Sequence, residues 1–245
     1  MTNISVSIII PCYNGSQHLA PAIQSVLDQQ IANSQIIVVD DGSTDNSVEI
    51  ASAFDHVQTI QQPNAGPAAA RNRGISIAEG DFISFLDADD LYPKNKLKNQ
   101  LDYLNKNPEI ELVSGRIKCI GNNADHMFSK IYENSEEKTM LNFHLGAGLY
   151  RKHTIDKIGY FDEDLKYAED VDHWFKIVEQ GISYHFLPEV TLLHTRHENN
   201  MTNSSHAIQT PYLIRAVKKS MDRRKKLAKF EMPEFFKNTL SHRNK

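Results

Sequence analysis

Cysteine is nearly missing from this chain of 245 residues: Cys12 and Cys119 are the only two. They lie in separate apolar runs with no short spacing between them, which excludes a zinc-ligand signature and a disulfide framework. Buried, reduced thiols are the expectation, and with them a cytoplasmic protein. Long apolar runs are lacking as well. None approaches the roughly 18 residues that a membrane-spanning helix requires. Met1-Thr2-Asn3 is not followed by the basic and then apolar pattern of a signal peptide. Strong net charge is absent too: a value of −4 gives no global sign of nucleic-acid binding, and no such partner is expected. There is no internal repeat and no low-complexity segment.

What is present is ordinary for a globular chain, 40% hydrophobic and 24% charged. The length suits one large domain, or one domain with an appendage. The charge is unevenly spread. Residues 211–245 hold eleven Lys and Arg against three acids, a local charge of +8, which leaves −12 on the remainder. That asymmetry says more than the total.

The first half alternates strand and helix. Val6–Ile10 is a continuous apolar run, as for a strand covered on both faces. Leu19, Ile23, Val26 and Leu27 follow at helical spacing. Ile36–Val39 reads as a second strand, and Ser43 as the N-cap of a helix reaching about Phe54. Val57–Ile60 is a third strand. Pro67–Ala78 is helical, with Gly80 as its C-terminal stop, and Phe82–Leu86 is the next strand. Pro93 opens a long helix with Leu97, Leu101 and Leu104 inward. Leu112–Ile120 is a further strand. This order implies a largely parallel sheet with helices on both faces, in which ligands sit at the carboxyl ends of strands. Polar clusters stand at those ends: Pro11–Asn14, Asp40–Ser43 and Asp87–Asp90.

The second half is less regular. Residues 121–142 read as a polar loop, Gly146–Tyr150 as a glycine-softened strand, and Glu169–Gln180 as a helix with Val171, Trp174, Phe175 and Val178 at core spacing. Tyr184–Leu187 and Thr191–His194 read as two short strands. Tyr212–Phe230 forms a basic amphipathic helix with Leu213, Val217, Met221 and Ala228 on one face.

Singly, each cluster has a plain structural reading beside a chemical one. Asp87-Ala88-Asp89-Asp90 is either a solvated acidic turn or a set of repelling carboxylates that a divalent cation neutralises while keeping positions for a diphosphate. Asp40-Asp41-Gly42-Ser43 either caps a helix or offers a carboxylate to the ring N–H of a base. Tyr13 is either a core-edge aromatic or a stacking platform for that base. Arg71, about a turn inside its helix, either reaches a phosphate, braces the site, or makes a surface ion pair. Glu169-Asp170 at a helix start either complements the helix dipole or supplies a general base. His194, Arg196 and His197 cluster after a strand, where a metal role competes with ordinary hydrogen bonding.

Order and spacing together are more specific. Val6–Asn14, Asp40–Asp45, Asn64–Gly74, Asp81–Asp90 and Tyr167–Trp174 resemble the family 2 glycosyltransferases over about residues 4–202, and His194–Thr202 looks like that family's closing Arg- and His-rich stretch. The resemblance implies an α/β GT-A fold: a Rossmann-like, mostly parallel sheet flanked by helices, with a C-terminal helical extension. It implies a catalytic domain over 1–210, with about 1–110 binding the nucleotide-sugar and about 111–210 the acceptor, and a basic helical tail over 211–245. Pro11, Tyr13, Asn14, Asp41, Arg71, Asp87, Ala88, Asp89 and Gly148 would line the donor. Tyr13 would lie on the base, Asp41 would hold its ring N–H, and Asp87 would touch the ribose. Asp89, with His197, would hold Mn2+ or Mg2+ on the diphosphate. Asp170 would be the base, with Glu169 and Trp174 beside the acceptor or just behind the reacting groups. Small residues at Gly146-Ala147-Gly148 would let the backbone approach the sugar. The implied reaction is inverting transfer from a nucleotide-diphosphate sugar, commonly a UDP-sugar, to a saccharide, lipid-linked or other hydroxyl.

Two other functions stay in view. A sugar nucleotidyltransferase would want a basic, glycine-rich loop after the first strand, where Pro11-Cys12-Tyr13-Asn14-Gly15-Ser16 carries no Lys or Arg. A non-catalytic nucleotide-sugar-binding protein has no need to keep Asp41, Asp87, Asp89 and Asp170 together. For the tail, the plain reading is a helix packing its apolar stripe on the catalytic domain. The sharper one is a basic surface that meets an acidic acceptor or anionic lipid, the latter as peripheral contact at the inner membrane face.

Overall fold

A computed structural model describes residues 5–121, 139–140, 144–198, 200–201 and 206–227. The apolar run after Ser5 is strand β1 (Val6–Cys12), and it lies at the centre of one sheet. Parallel to it on one side run β2 (Ser34–Asp40) and then β3 (Val57–Gln61), and on the other β4 (Phe82–Phe85). The sheet continues through β7 (Leu149–Arg151), antiparallel to β4, and β5 (Leu112–Gly121), which pairs with β6 (Thr139–Met140) and β8 (Tyr184–Arg196).

Side chains alternate across a strand, so β1 feeds two cores. Val6, Ile8 and Ile10 enter the layer with α1 (Leu19–Leu27) and α4 (Lys96–Lys106), while Ile9 enters the opposite layer. That second layer is built on α3 (Pro67–Ile77), α5 (Lys152–Ile158) and α6 (Glu169–Glu179). α3 packs with small residues, and a Cβ added at Gly74 would meet Ile9 Cγ2 at 2.3 Å. Helix and strand therefore touch almost backbone to side chain, and the helix needs few large apolar groups of its own. The last helix among the described residues, α7 (His206–Arg224), lies against α6. Among the described residues no helix is long and apolar enough to cross a membrane.

Four local expectations need correction. The helix expected from Ser43 is α2 (Ser47–Ser52). Ser43 instead accepts from Asn14 N at 2.8 Å, and Ser47 donates to Asp45 Oδ1 at 2.5 Å, so the intervening residues stitch the ends of β1 and β2 together. Pro93 stands three residues ahead of α4, which follows Asn95 at φ 63°. Gly146–Tyr150 is not one strand. Leu145–Ala147 is a 3-10 turn capped by His144 Nδ1, which accepts from Gly146 N at 3.2 Å, and β7 follows it. The two short strands after Tyr184 are the single β8, continuous past Pro188 because the register with β5 shifts there and no ladder donor is needed. Of the expected 121–142 loop, Gly121 ends β5 and Thr139–Met140 is β6, while 122–138 and 141–142 lie outside the described residues.

Candidate active site

The carboxyl ends of β1, β2 and β4 lie side by side, and the expected polar clusters meet there. Following Pro11 and the buried Cys12, Tyr13 is exposed. Asn14 Oδ1 accepts from Thr44 N at 2.8 Å and fixes the turn between the first two loops. Asp41 is buried. Its oxygens accept from Gln62 Nε2 at 2.7 Å, Ala65 N at 3.0 Å and Gly66 N at 2.8 Å. A carboxylate has about four acceptor positions, and three of these are committed to the loop feeding α3. Its first task is to hold that loop, at a helix start where negative charge is favoured.

The three acids after β4 diverge. Asp87 Oδ1 accepts from Arg71 Nη2 at 2.7 Å. Ala88 turns the chain, and Asp89 Oδ2 lies 3.0 Å from His197 Nε2 and 3.0 Å from Asn200 Nδ2. Asp90 is fully buried and accepts from Thr195 N at 2.9 Å, with His194 Nδ1 at 3.0 Å. Asp90, which had no expected role, thus fastens β8 to the acidic turn. Asn200 carried no signal in the sequence, being one asparagine in a polar stretch. His18 also escaped notice, and its ring stacks on His197 at 4.5 Å between centroids.

Arg71 braces rather than reaching outward. From α3, buried, it donates by Nη2 to Asp87 and by Nη1 to Glu169 Oε1 at 2.8 Å. One guanidinium therefore ties the end of β4 to the start of α6. The two acids respond differently. Burial pushes both carboxyls up, but at Asp87 the charge of Arg71 wins and holds the group below its usual range. At Glu169 burial wins, reinforced by neighbouring Asp170 and opposed by Arg71, and the carboxyl is pushed up to about 7. Asp89 is raised by burial and by the charges of Asp90 and Asp87, against the pull of His197. A crowded carboxylate of this kind, facing an imidazole, suits a divalent cation that accepts both oxygen and nitrogen. Asp90, His144 and His194 form a second cluster close enough for a cation, their ligand atoms within 4.8 Å of one another. There Asp90 and His194 are already bonded, and His144 Nδ1 is spent on Gly146 N.

Asp170 stands at the first turn of α6, its Oδ1 accepting from Val171 N at 2.8 Å. Trp174, one turn on, is only 7% exposed and packs in the core against Tyr184. It supports α6 from behind, the second of the two places expected for it. Gly148 follows the 3-10 turn. A Cβ there would lie 2.9 Å from the Tyr150 ring, so packing alone requires the glycine. Its carbonyl accepts from Ser84 Oγ at 2.6 Å and Lys96 Nζ at 3.3 Å, and Gln100 Nε2 donates to Ala147 O at 2.8 Å. Lys96, on the inner face of α4, is buried, lies 3.9 Å over the Tyr92 ring, and has its ammonium form disfavoured by that burial. In sequence it looks like any surface lysine of the run Lys94–Lys98.

The profile of glycosyl transferase family 2 matches residues 7–162. An uncharacterized glycosyltransferase of Rickettsia typhi is 35% identical over 215 residues, 82% of this chain and 66% of that one. The minor teichoic acid biosynthesis protein GgaA of Bacillus subtilis is 32% identical over 182 residues, 67% of this chain and 41% of GgaA. This chain thus spans two thirds or less of the length of these relatives. Among solved structures, S. aureus TarS 1–349 in complex with UDP-GlcNAc superposes with a TM-score of 0.70 at 24% identity, over 83% of this chain and 62% of that one. Mannosyltransferase PcManGT from Pyrobaculum calidifontis, in complex with GDP-Man and Mn2+, gives 0.69 at 20% identity, over 96% and 68%. At such identities these two speak for the fold alone, and it is GT-A.

Proposed function

Because the chain belongs to glycosyl transferase family 2, whose profile spans more than half of it, we propose that it is an inverting glycosyltransferase taking its sugar from a nucleoside-diphosphate donor, a UDP-sugar. The observation that carries this reading is the double ion pair of Arg71, which sets Asp87 and the Glu169-Asp170 helix start in one rigid frame. Transfer needs a donor-binding group and a base held at fixed separation, and that frame supplies both.

In this reading the nucleobase lies near Tyr13, beside the loop held by Asp41. Asp87 turns its free oxygen to the ribose. Asp89 and His197 would hold Mn2+ or Mg2+, whose chemistry when bound would be charge neutralisation of the diphosphate. Asp170 accepts the proton of the acceptor hydroxyl. The hydroxyl oxygen forms its bond to the anomeric carbon on the face opposite the diphosphate, whose C–O bond breaks and takes the electron pair. No second carboxylate nucleophile is required, unlike a retaining glycosidase. The acceptor is a saccharide or another hydroxyl-bearing glycan precursor. The relative named for teichoic acid biosynthesis supports a polymer-forming context.

Calorimetry with UDP and GDP in the presence of manganese, followed by a panel of UDP- and GDP-sugars scored by diphosphate release, tests the reading. Tight UDP binding and release of UDP from one sugar donor are expected. No binding of any nucleoside diphosphate would overturn it. Pyrophosphate release from a nucleoside triphosphate and a sugar phosphate would point to a nucleotidyltransferase, and binding without turnover to a non-catalytic protein.

A further inference from the structure

The last helix is turned the opposite way from the plain expectation. Its inner face is fixed by Ala216 and Ser220, both buried, and by Arg223, whose Nη2 donates to Asp172 Oδ1 at 2.8 Å and Nε to Glu179 Oε2 at 2.5 Å on α6. Lys219 adds an ion pair to Asp162. With the rotation of α7 set by these contacts, Leu213, Val217 and Met221 of the stripe expected to pack on the domain face outward, joined by Ile214, while Ala228 and the expected helix end at Phe230 lie outside the described residues. Leu213 is 44% exposed, Ile214 62%, Val217 38% and Met221 50%. Leu213, Ile214 and Met221 each lie three or four residues from Val217, which places all four on one flank of the helix. Lys218 and Lys225 are exposed beside that stripe, and over 206–227 seven Lys and Arg face a single acid, Asp222.

We propose that this face of α7 is a docking surface for an anionic lipid membrane, on which the helix lies flat. The reading is independent of the transferase chemistry above. An apolar stripe of this size is a liability in water unless something covers it. A second copy meeting it face to face would set its bases against the same bases. Anionic headgroups match both components: the apolar side chains enter the boundary between headgroups and acyl chains, and the lysines stay at its charged surface. Because Arg223 anchors α7 to the helix that begins at Glu169, and the Tyr167 and Tyr212 rings lie 5.5 Å apart, docking would fix the orientation of the catalytic cleft to the surface.

The test is sedimentation of the full chain with vesicles of phosphatidylcholine alone or with one quarter phosphatidylglycerol. Binding to the mixed vesicles only, released by 0.5 M salt, is expected. The double variant I214S/M221S should weaken it at least tenfold, and Lys218→Glu at least fivefold, with circular-dichroism melting unchanged because both sites are exposed. The variant F235S/F236S, beyond α7, should bind as the parent does. Absence of vesicle binding, binding indifferent to the α7 variants, or loss through F235S/F236S alone would overturn the proposal. So would a concentration-dependent dimer, in lipid-free solution, that I214S/M221S dissolves.

Discussion

Arg71 and Asp87 lie 2.7 Å apart across 16 residues of sequence, and the same guanidinium reaches Glu169, 98 residues further along from Arg71. Substituting Arg71→Ala leaves the buried Glu169 without its cation. Breaking a buried pair costs about 3–5 kcal/mol, and the low end is expected because Asp87 keeps contact with water. Arg71→Lys retains the charge but cannot serve both acids in one plane. A fall in kcat/KM on the order of a hundredfold for Lys, with part of the thermal stability kept, is the expected outcome. Equal activity in the Lys variant would mean that the frame does not position the reacting groups.

Asp170→Asn should separate binding from chemistry. Removing a general base costs about 10² to 10⁴ in rate, whereas UDP affinity measured by calorimetry should stay within about twofold, since Asp170 touches none of the groups assigned to the donor. Turnover at the parent rate would place the base elsewhere, with Glu169 the next candidate.

The elevated Glu169 carboxyl predicts a pH dependence with a definite sign. Its folded value of about 7 lies above the 4.5 of an ordinary glutamate. Between these limits the folded chain binds more protons than the unfolded one, so this group makes stability fall as pH rises from about 4.5 to about 7. Asp87, held low, acts oppositely, and its contribution disappears as pH falls below the ordinary carboxylate range. In Glu169→Gln the decline between pH 4.5 and 7 should vanish from a series of thermal melts, while the acid-side loss remains.

Chelation should abolish transfer, and manganese should restore it. His197→Ala removes one of the two groups proposed to hold the cation, so the manganese concentration for half-maximal activity should rise about tenfold or more. His18→Ala, which only unstacks the ring behind His197, should move it by less. If both variants respond to manganese as the parent does, His197 is not a ligand.

Lys96→Met tests the support beneath Gly148. Replacing a buried amine by an apolar chain of similar length is near neutral or stabilising, so melting should hold or rise. The carbonyl of Gly148 would lose one donor and keep Ser84. A several-fold higher donor KM with little change in kcat is expected, and a collapse of kcat alone would give Lys96 a different role.

Much of the frame was legible in the sequence because its signals are local. Val6–Ile10 reads as a strand covered on both faces since each alternate residue feeds a different core, and Asp87–Asp90 reads as a strand-end cluster since an apolar strand leads straight into it. What was illegible depends on partners far along the chain. Ser43 looks like a helix cap until Asn14 claims its hydroxyl. Nothing near Lys96 or Asn200 marks either as buried against the site. The orientation of α7 was hidden because two narrow faces compete: the large apolar stripe suggests the packing side, yet Ala216 and Ser220 permit a closer approach and Arg223 finds two acids there.

The divergence of the three acids has a last consequence. Asp89 Oδ2 is the oxygen shared by His197 and Asn200, at the end of β8 and six residues before α7 begins. Any cation or donor group that claims this oxygen competes with the contacts that hold the chain there. A ligand at the acidic turn and the seating of His197 and Asn200 against it therefore draw on one and the same atom.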